Sequence, residues 1–387
     1  MKYTWFGMVI LMPLTGWALA ADTGIEGSVS QSLAYDDNFL FRQNAESSVI
    51  YTLTPQLTGY YRTPTYASTL TGALDIQRHT DFSEYDRSNP RLRWQQNWLR
   101  LRSAYNLGIS YQEADQRAEA ADDLGDFTTR SKVSTLTIAP SYQYQLSERD
   151  TVSLSFNYTD RAYSGDTTSN DNLSYSLNSG WSHKLNERVS LRANLGYTRY
   201  ESEGQLQNDT RSDIWRVNTG VSYDWTERTS LTLLLGATHQ KTQTSQLAFV
   251  ERNGLLFLER VANTSNQTGT SVTLQWNHDA LLNNYSASYT RDLVPSSDGT
   301  VREQDRLNLG FSRSLSDLSR MSVNTNWLQS SDDASSRDYF SISPTYIREL
   351  TRDLSMNARY EYRWQKRSTE DASIDGSIYR LSLAYKF

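Results

Sequence analysis

The chain has 387 residues, no cysteine, a mean hydropathy of -0.65 and a net charge of -6. These values exclude a disulfide scaffold, thiol chemistry and thiolate metal sites, and the mild acidity offers nothing to a nucleic acid. Twenty-five tyrosines and ten tryptophans are the unusual part of the composition.

The chain opens on Met1-Lys2, an apolar stretch from Trp5 to Met12, and Ala18-Leu19-Ala20. A basic start, a short apolar core and an A-x-A site predict a secretory signal peptide over 1–20. Residues 21–387 then form one exported domain. The apolar run is shorter than the ~20 residues that span a bilayer as a helix. Nothing later approaches a transmembrane helix, so membrane insertion falls to strands, in a Gram-negative outer membrane.

Strand patterning begins near Ile25, with no plug domain expected before it. The first strand runs into Asp36-Asp37-Asn38, which reads as an exposed turn because Asp and Asn satisfy local backbone groups. Short turns then repeat a theme: Leu146-Ser147-Glu148-Arg149-Asp150, Leu185-Asn186-Glu187-Arg188-Val189 and Trp225-Thr226-Glu227-Arg228-Thr229. Looser copies lie at 315–320 and 349–353. Between them stand longer polar connections at 36–48, 80–89, 113–129, 164–172, 201–209, 295–303, 330–338 and 366–373. Alternating strands such as Val152–Tyr158 and Val189–Leu195 follow the turns. The turn near Leu101 to Ser103 has no Gly or Asn and is the weakest signal.

One connection differs. Residues 246–261 carry apolar clusters on both sides of Asn253-Gly254, a strong hairpin signal. Two strands that extend the wall are the plain reading. An inward constriction, or a partner-docking hairpin using Phe249 and Phe257, is the alternative. The chain ends on Tyr379, Leu381, Leu383, Tyr385 and Phe387 on one face, with Arg380, Ser382, Ala384 and Lys386 on the other. Tyr385 and Phe387 are the expected C-terminal membrane-assembly signal.

These elements predict an all-β, antiparallel, up-and-down transmembrane barrel of about eighteen strands (16–18), with periplasmic termini. Sixteen to eighteen strands leave an aqueous channel unless something narrows it. Lumen parity falls on Arg192, Arg216, Arg359, Glu361, Arg363 and Arg380. Most such residues simply hydrate a wall. Arg359, Arg363 and Arg380, on adjacent strands, suggest in addition a basic ladder for an anionic solute. Tryptophans near strand ends suit membrane-interface girdles. The four histidines are scattered, and no G-x-S-x-G or H-E-x-x-H pattern occurs. No enzyme, metal site or cofactor is expected.

The segment Ser32-Leu33-Ala34-Tyr35-Asp36-Asp37-Asn38-Phe39-Leu40-Phe41-Arg42 resembles the N-terminal signature of the β-barrel porin 2 family. Leu53-Thr54-Pro55-Gln56-Leu57, the Glu-Arg turns and Phe387 extend the resemblance over the exported domain. Such barrels are found in exopolysaccharide or capsule gene clusters. The resemblance therefore implies an outer-membrane pore assisting export of a secreted polysaccharide, with periplasmic polysaccharide export proteins and the glycan as partners. Outer-membrane lipid, lipopolysaccharide and the barrel assembly machinery complete the expected partners. A general diffusion porin for small solutes, predicting an in-folded loop, is the alternative. A structural or adhesive barrel with a blocked lumen is the third.

Overall fold

Strict alternation of apolar and polar side chains builds a sheet with one face for lipid and one for water. In the computed structural model every such run is a strand. The structure describes residues 21–387 except 120, 122–126, 166–168, 204–208, 253–254, 297–299 and 333–334. The expected signal peptide, 1–20, therefore lies outside the described residues.

The first six strands are β1 (Asp22–Asp36), β2 (Ser48–Arg62), β3 (Tyr66–His79), β4 (Arg87–Leu99), β5 (Ser103–Asp115) and β6 (Lys132–Gln145). Next come β7 (Asp150–Ser164), β8 (Asp171–Lys184), β9 (Val189–Glu203), β10 (Asp209–Thr226), β11 (Thr229–Arg252) and β12 (Leu255–Asp279). The last are β13 (Asn283–Pro295), β14 (Val301–Ser316), β15 (Ser319–Ser331), β16 (Ser336–Glu349), β17 (Leu354–Arg367) and β18 (Ile374–Lys386). Each pairs antiparallel with its sequence neighbours, and β18 returns to β1 from Ser28↔Lys386 to Asp36↔Ile378. The result is a closed eighteen-stranded barrel, as the sequence predicts, including the turn at 100–102 that had the weakest signal.

The repeated turns have a common cause. In each, one side-chain oxygen caps the backbone N–H groups two or three residues on: Ser147 for Arg149 and Asp150, Asn186 for Arg188 and Val189, Thr351 for Asp353 and Leu354. All these turns lie at one rim and the long connections at the other. Both ends of the described chain lie at the short-turn rim, where Gly27 and Phe387 exchange backbone hydrogen bonds of 3.0 and 2.9 Å.

Register fixes the faces. Leu33, Leu70, Leu92, Leu195, Val217 and Leu381 are exposed on the outer face. Two aromatic rings bound this apolar band. Toward the short turns stand Tyr66–Trp98, Tyr105–Tyr142 and Tyr285–Phe311; toward the long loops stand Tyr158–Tyr175, Tyr197–Trp215 and Tyr35–Tyr379–Tyr360. Their positions match the two headgroup levels of a bilayer. Pro55, Pro140 and Pro344 each interrupt the ladder toward one neighbour, since a proline has no N–H to donate.

The strands β11 and β12, with 24 and 25 residues, far exceed the ~9–11 that cross a membrane. They pair with each other to Arg252↔Leu255 and extend the wall, which is the plainer of the two sequence readings. Asn253 and Gly254 lie outside the described residues, as do the side chains of Phe249 and Phe257. Only Val272–Asp279 of β12 pairs with β13.

Candidate functional site: the narrowed mouth and its polar vestibule

The 37–47 connection does not stand in solvent as the exposed turn suggested by Asp36-Asp37-Asn38. It folds into the barrel mouth, and Asp36 and Asn38 are buried. The cause is the apolar triplet that follows. Phe39 and Leu40 pack with Phe82, Tyr85 and the lumen-facing Ile50; Phe41 packs with Phe127, Leu328 and Tyr339. Left in water, three large apolar side chains would cost several kcal/mol, so they seek cover inside the mouth.

Polar atoms of the turn are then satisfied by strand ends. Asn38 Nδ2 donates to the carbonyls of Arg42 and Asp375, each at 2.9 Å, and its Oδ1 accepts from Arg42 N at 3.0 Å. Asp37 Oδ1 accepts from Ser377 N at 2.6 Å. One guanidinium nitrogen of Arg363 donates to both carboxylate oxygens of Asp36, at 2.9 and 3.1 Å. Both side chains are almost wholly buried, at 7 % and 3 % exposure. The Arg363 guanidinium also sits 4.8 Å from the Phe41 ring centre and 5.7 Å from that of Phe127. Phe41 has φ of +45°, a conformation that non-glycine residues adopt only where their surroundings enforce it.

A second connection, 116–131, meets the first. Arg117, on the single helical turn Gln116–Glu119, lies 3.7 Å over the Phe39 ring and donates to the Phe39 carbonyl. Burial lowers its pKa to about 10, against the opposing pull of Asp36 and Asp115. Tyr85 Oη donates to the Thr128 carbonyl at 2.8 Å, and Arg337 Nη2 to the Ala121 carbonyl at 2.9 Å. The described residues of the two connections thus form one interlocked body against β1–β3 and β15–β17.

Across the mouth, the end of β13 turns inward. Asp292 binds Arg216 of β10 at 2.5 Å and accepts from Thr238 of β11 at 3.1 Å. Tyr200 of β9 donates to the Ser296 carbonyl at 2.6 Å, and Leu293 is buried. These contacts join strands that are not neighbours in the sheet, so this side of the mouth is also drawn in.

Toward the short turns the lumen face is different. Ser155, Asn178, Asn194, Gln275, Asn308 and Asn324 belong to a wall of hydroxyls and amides with few charges. The predicted basic ladder is split. Arg363 is tied to Asp36 in the mouth. Arg359 pairs with Glu361 at 2.9 Å and stands directly opposite Arg380, which has no carboxylate at ion-pair distance among the described residues. Arg192 likewise has none, whereas Arg216 is held by Asp292. Sequence parity assigned these six side chains to the lumen but gave no sign of the partners that neutralise Arg216 and Arg363. The missed elements are Phe39-Leu40-Phe41, Phe82 and Phe127. Large apolar residues inside otherwise polar connections were their signal.

The family profile described as "Putative MetA-pathway of phenol degradation" matches residues 126–253. No curated protein matches the sequence. Among solved structures, the open form of the ferric-catecholate import receptor Fiu from E. coli K12 aligns at 9% identity, covering 95% of this chain and 82% of that one, with a TM-score of 0.53. The outer membrane proteins OpdO and opdK of Pseudomonas aeruginosa align at 12% and 9% identity, each over 94% of this chain, with TM-scores of 0.48 and 0.47. They are covered to 97% and 98% of their own lengths. The fold and its lipid-facing band are those of a Gram-negative outer-membrane β-barrel.

Proposed function

We propose that this barrel is a channel for small solutes, oriented with its long-loop rim outward and its termini in the periplasm. The observation that carries this reading is the interlocked body formed by the 37–47 and 116–131 connections inside the mouth. It is the in-folded element expected of a diffusion channel, and it leaves less room for a polymer sliding through. Below it, the hydroxyl and amide wall exchanges weak hydrogen bonds with a passing solute, and Arg380 and Arg192 bias the lumen toward anions. No side chain acts as a catalyst. Lipopolysaccharide faces the outer girdle, and Tyr385 and Phe387 present the assembly machinery with its C-terminal signal.

Polysaccharide export, with its periplasmic export partners, is the second reading. It draws on the resemblance carried by residues 32–57 and on the lumen's neutral polar lining. A deletion strain separates the two. Reduced small-solute uptake with normal surface polymer supports the channel. Loss of surface polymer with normal uptake supports export and refutes the channel.

A further inference from the structure

On the lumen faces of β7–β10, away from the interlocked connections, a cavity of about 320 Å³ is lined by Ser153, Ser155, Asn178, Asn194, Arg216 and Asn218, with Gly180 and Gly196 beneath them. We infer that it is a binding site for one neutral sugar unit. The inference rests on the channel reading and names the solute class that this one recess, rather than the whole lumen, binds.

The cavity exists because small residues alternate with amides across the ladder. Gly180 lies opposite Asn194, Gly196 opposite Asn178, and Asn218 opposite Gly236. A Cβ at Gly180 would come within 2.6 Å of Ser153 Oγ, and one at Gly196 within 2.8 Å of Asn178 Oδ1. The side chains of Ser153 and Asn178 therefore lie flat over bare glycine backbone. This leaves a shallow recess whose floor is donors and acceptors rather than apolar groups.

The chemistry of the recess points to hydroxyls. Serine hydroxyls and asparagine amides both donate and accept, so they match a ligand whose groups also do both. Neighbouring strands are about 4.8 Å apart, a spacing on which hydroxyls around one sugar ring can each find a partner. Asn218 is more than nine-tenths buried, and its amide oxygen has no partner among the described residues. That oxygen lies over the bare backbone of Gly236, and it would have to swing off β11 to accept from a bound hydroxyl.

Charge argues against an anion here. The only cation in the lining, Arg216, is bound to Asp292 at 2.5 Å, and Asp292 also accepts from Thr238. Arg192 stands one row closer to the short turns, opposite Ser182 and Gly220, outside the lining. A volume at the low end of the roughly 300–1,000 Å³ typical of ligand pockets suits a single ring and not an oligomer. With no aromatic platform in the lining, binding is weak, which lets a solute leave as readily as it enters.

The test is equilibrium dialysis of the full-length barrel in detergent with radiolabelled glucose, and with glucuronate as the charged comparator. Saturable retention of glucose, with weaker retention of glucuronate, is expected. Asn178→Leu and Ser155→Leu should each lower glucose affinity about tenfold, the loss of one hydrogen bond with its unmet polar partner. Heat-modifiable electrophoretic mobility verifies that each variant folds. No saturable glucose retention, equal or stronger retention of glucuronate, or undiminished affinity in both folded variants overturns the site. Ion conductance of the same preparations in planar bilayers tests the channel separately. A barrel that conducts but retains no glucose overturns the site alone. One that retains glucose but does not conduct supports the site and overturns the channel.

Discussion

Replacing Arg363 by Gln removes the cation that neutralises a buried carboxylate. Asp36 would then keep only the attraction of Arg117, with no hydrogen-bonded counter-charge, and the neutral Gln amide cannot replace the charge-assisted guanidinium contact. Breaking a buried pair from one side costs about 3–5 kcal/mol, because the remaining charge stays desolvated. The exposures of 7 % and 3 % place this pair in that class rather than among surface pairs. Loss of the guanidinium over the Phe41 ring adds about 1 kcal/mol. The cost is relieved if the 37–47 connection leaves the mouth and hydrates Asp36. Asn38, Asp37 and the Phe39 cluster oppose that release. If the pair's loss falls wholly on the packed state, the released population rises roughly a hundred- to several-thousand-fold. Single-channel recording should show larger or more frequent openings, and trypsin should cut at Arg42 faster than in the parent. Adding Asp36→Asn to Arg363→Gln should recover part of the loss, since no charge is then stranded. Unchanged conductance together with an unchanged cleavage rate in Arg363→Gln would refute the idea that this ion pair holds the 37–47 connection in the mouth.

Other outcomes follow from the same geometry. Arg359→Gln with Arg380→Gln should reduce anion preference, read as a reversal potential across a KCl gradient, while removing both charges of the buried pair, as Asp36→Asn with Arg363→Gln, should change that preference little because the two cancel. Equal selectivity in the first double variant and the parent sinks the basic-wall idea. Gly27→Leu should weaken barrel closure, because a Cβ there overlaps the Phe387 ring where β1 and the C-terminus exchange hydrogen bonds; heat-modifiable mobility should then be lost at a lower temperature. At Asp86 burial favours protonation, but hydrogen bonds from His79 and the nearby Arg78 charge outweigh it and hold its pKa below the ordinary 3.8. Its anchorage of the 80–86 connection is therefore fully present above that value and lost as pH falls through the lower folded-state pKa. Hydrogen exchange near Thr80 should stay slow at pH 5 and quicken only in stronger acid; quickening already near pH 5 contradicts this.

Strand number, alternation, the two rims and the hairpin at 246–261 were all legible in the chain, since each depends on period-two patterning or on local turn chemistry. Ser147, Asn186 and Thr351 cap their own turns, so the motif carries its structure with it. Parity alone likewise sent Arg192, Arg216, Arg359, Glu361, Arg363 and Arg380 to the lumen. Which of those charges stay free was decided only when distant segments met. Asp36 and Arg363 are 327 positions apart, and Arg216 reaches Asp292 across two intervening strands. The same holds for Asp36-Asp37-Asn38, whose local preference for an exposed turn is overridden by the burial of Phe39-Leu40-Phe41 against Phe82, Phe127 and Tyr339. Local sequence sets which face a side chain takes, because backbone geometry imposes it residue by residue. What fills the mouth is set by contacts between connections that closure of the barrel alone brings together.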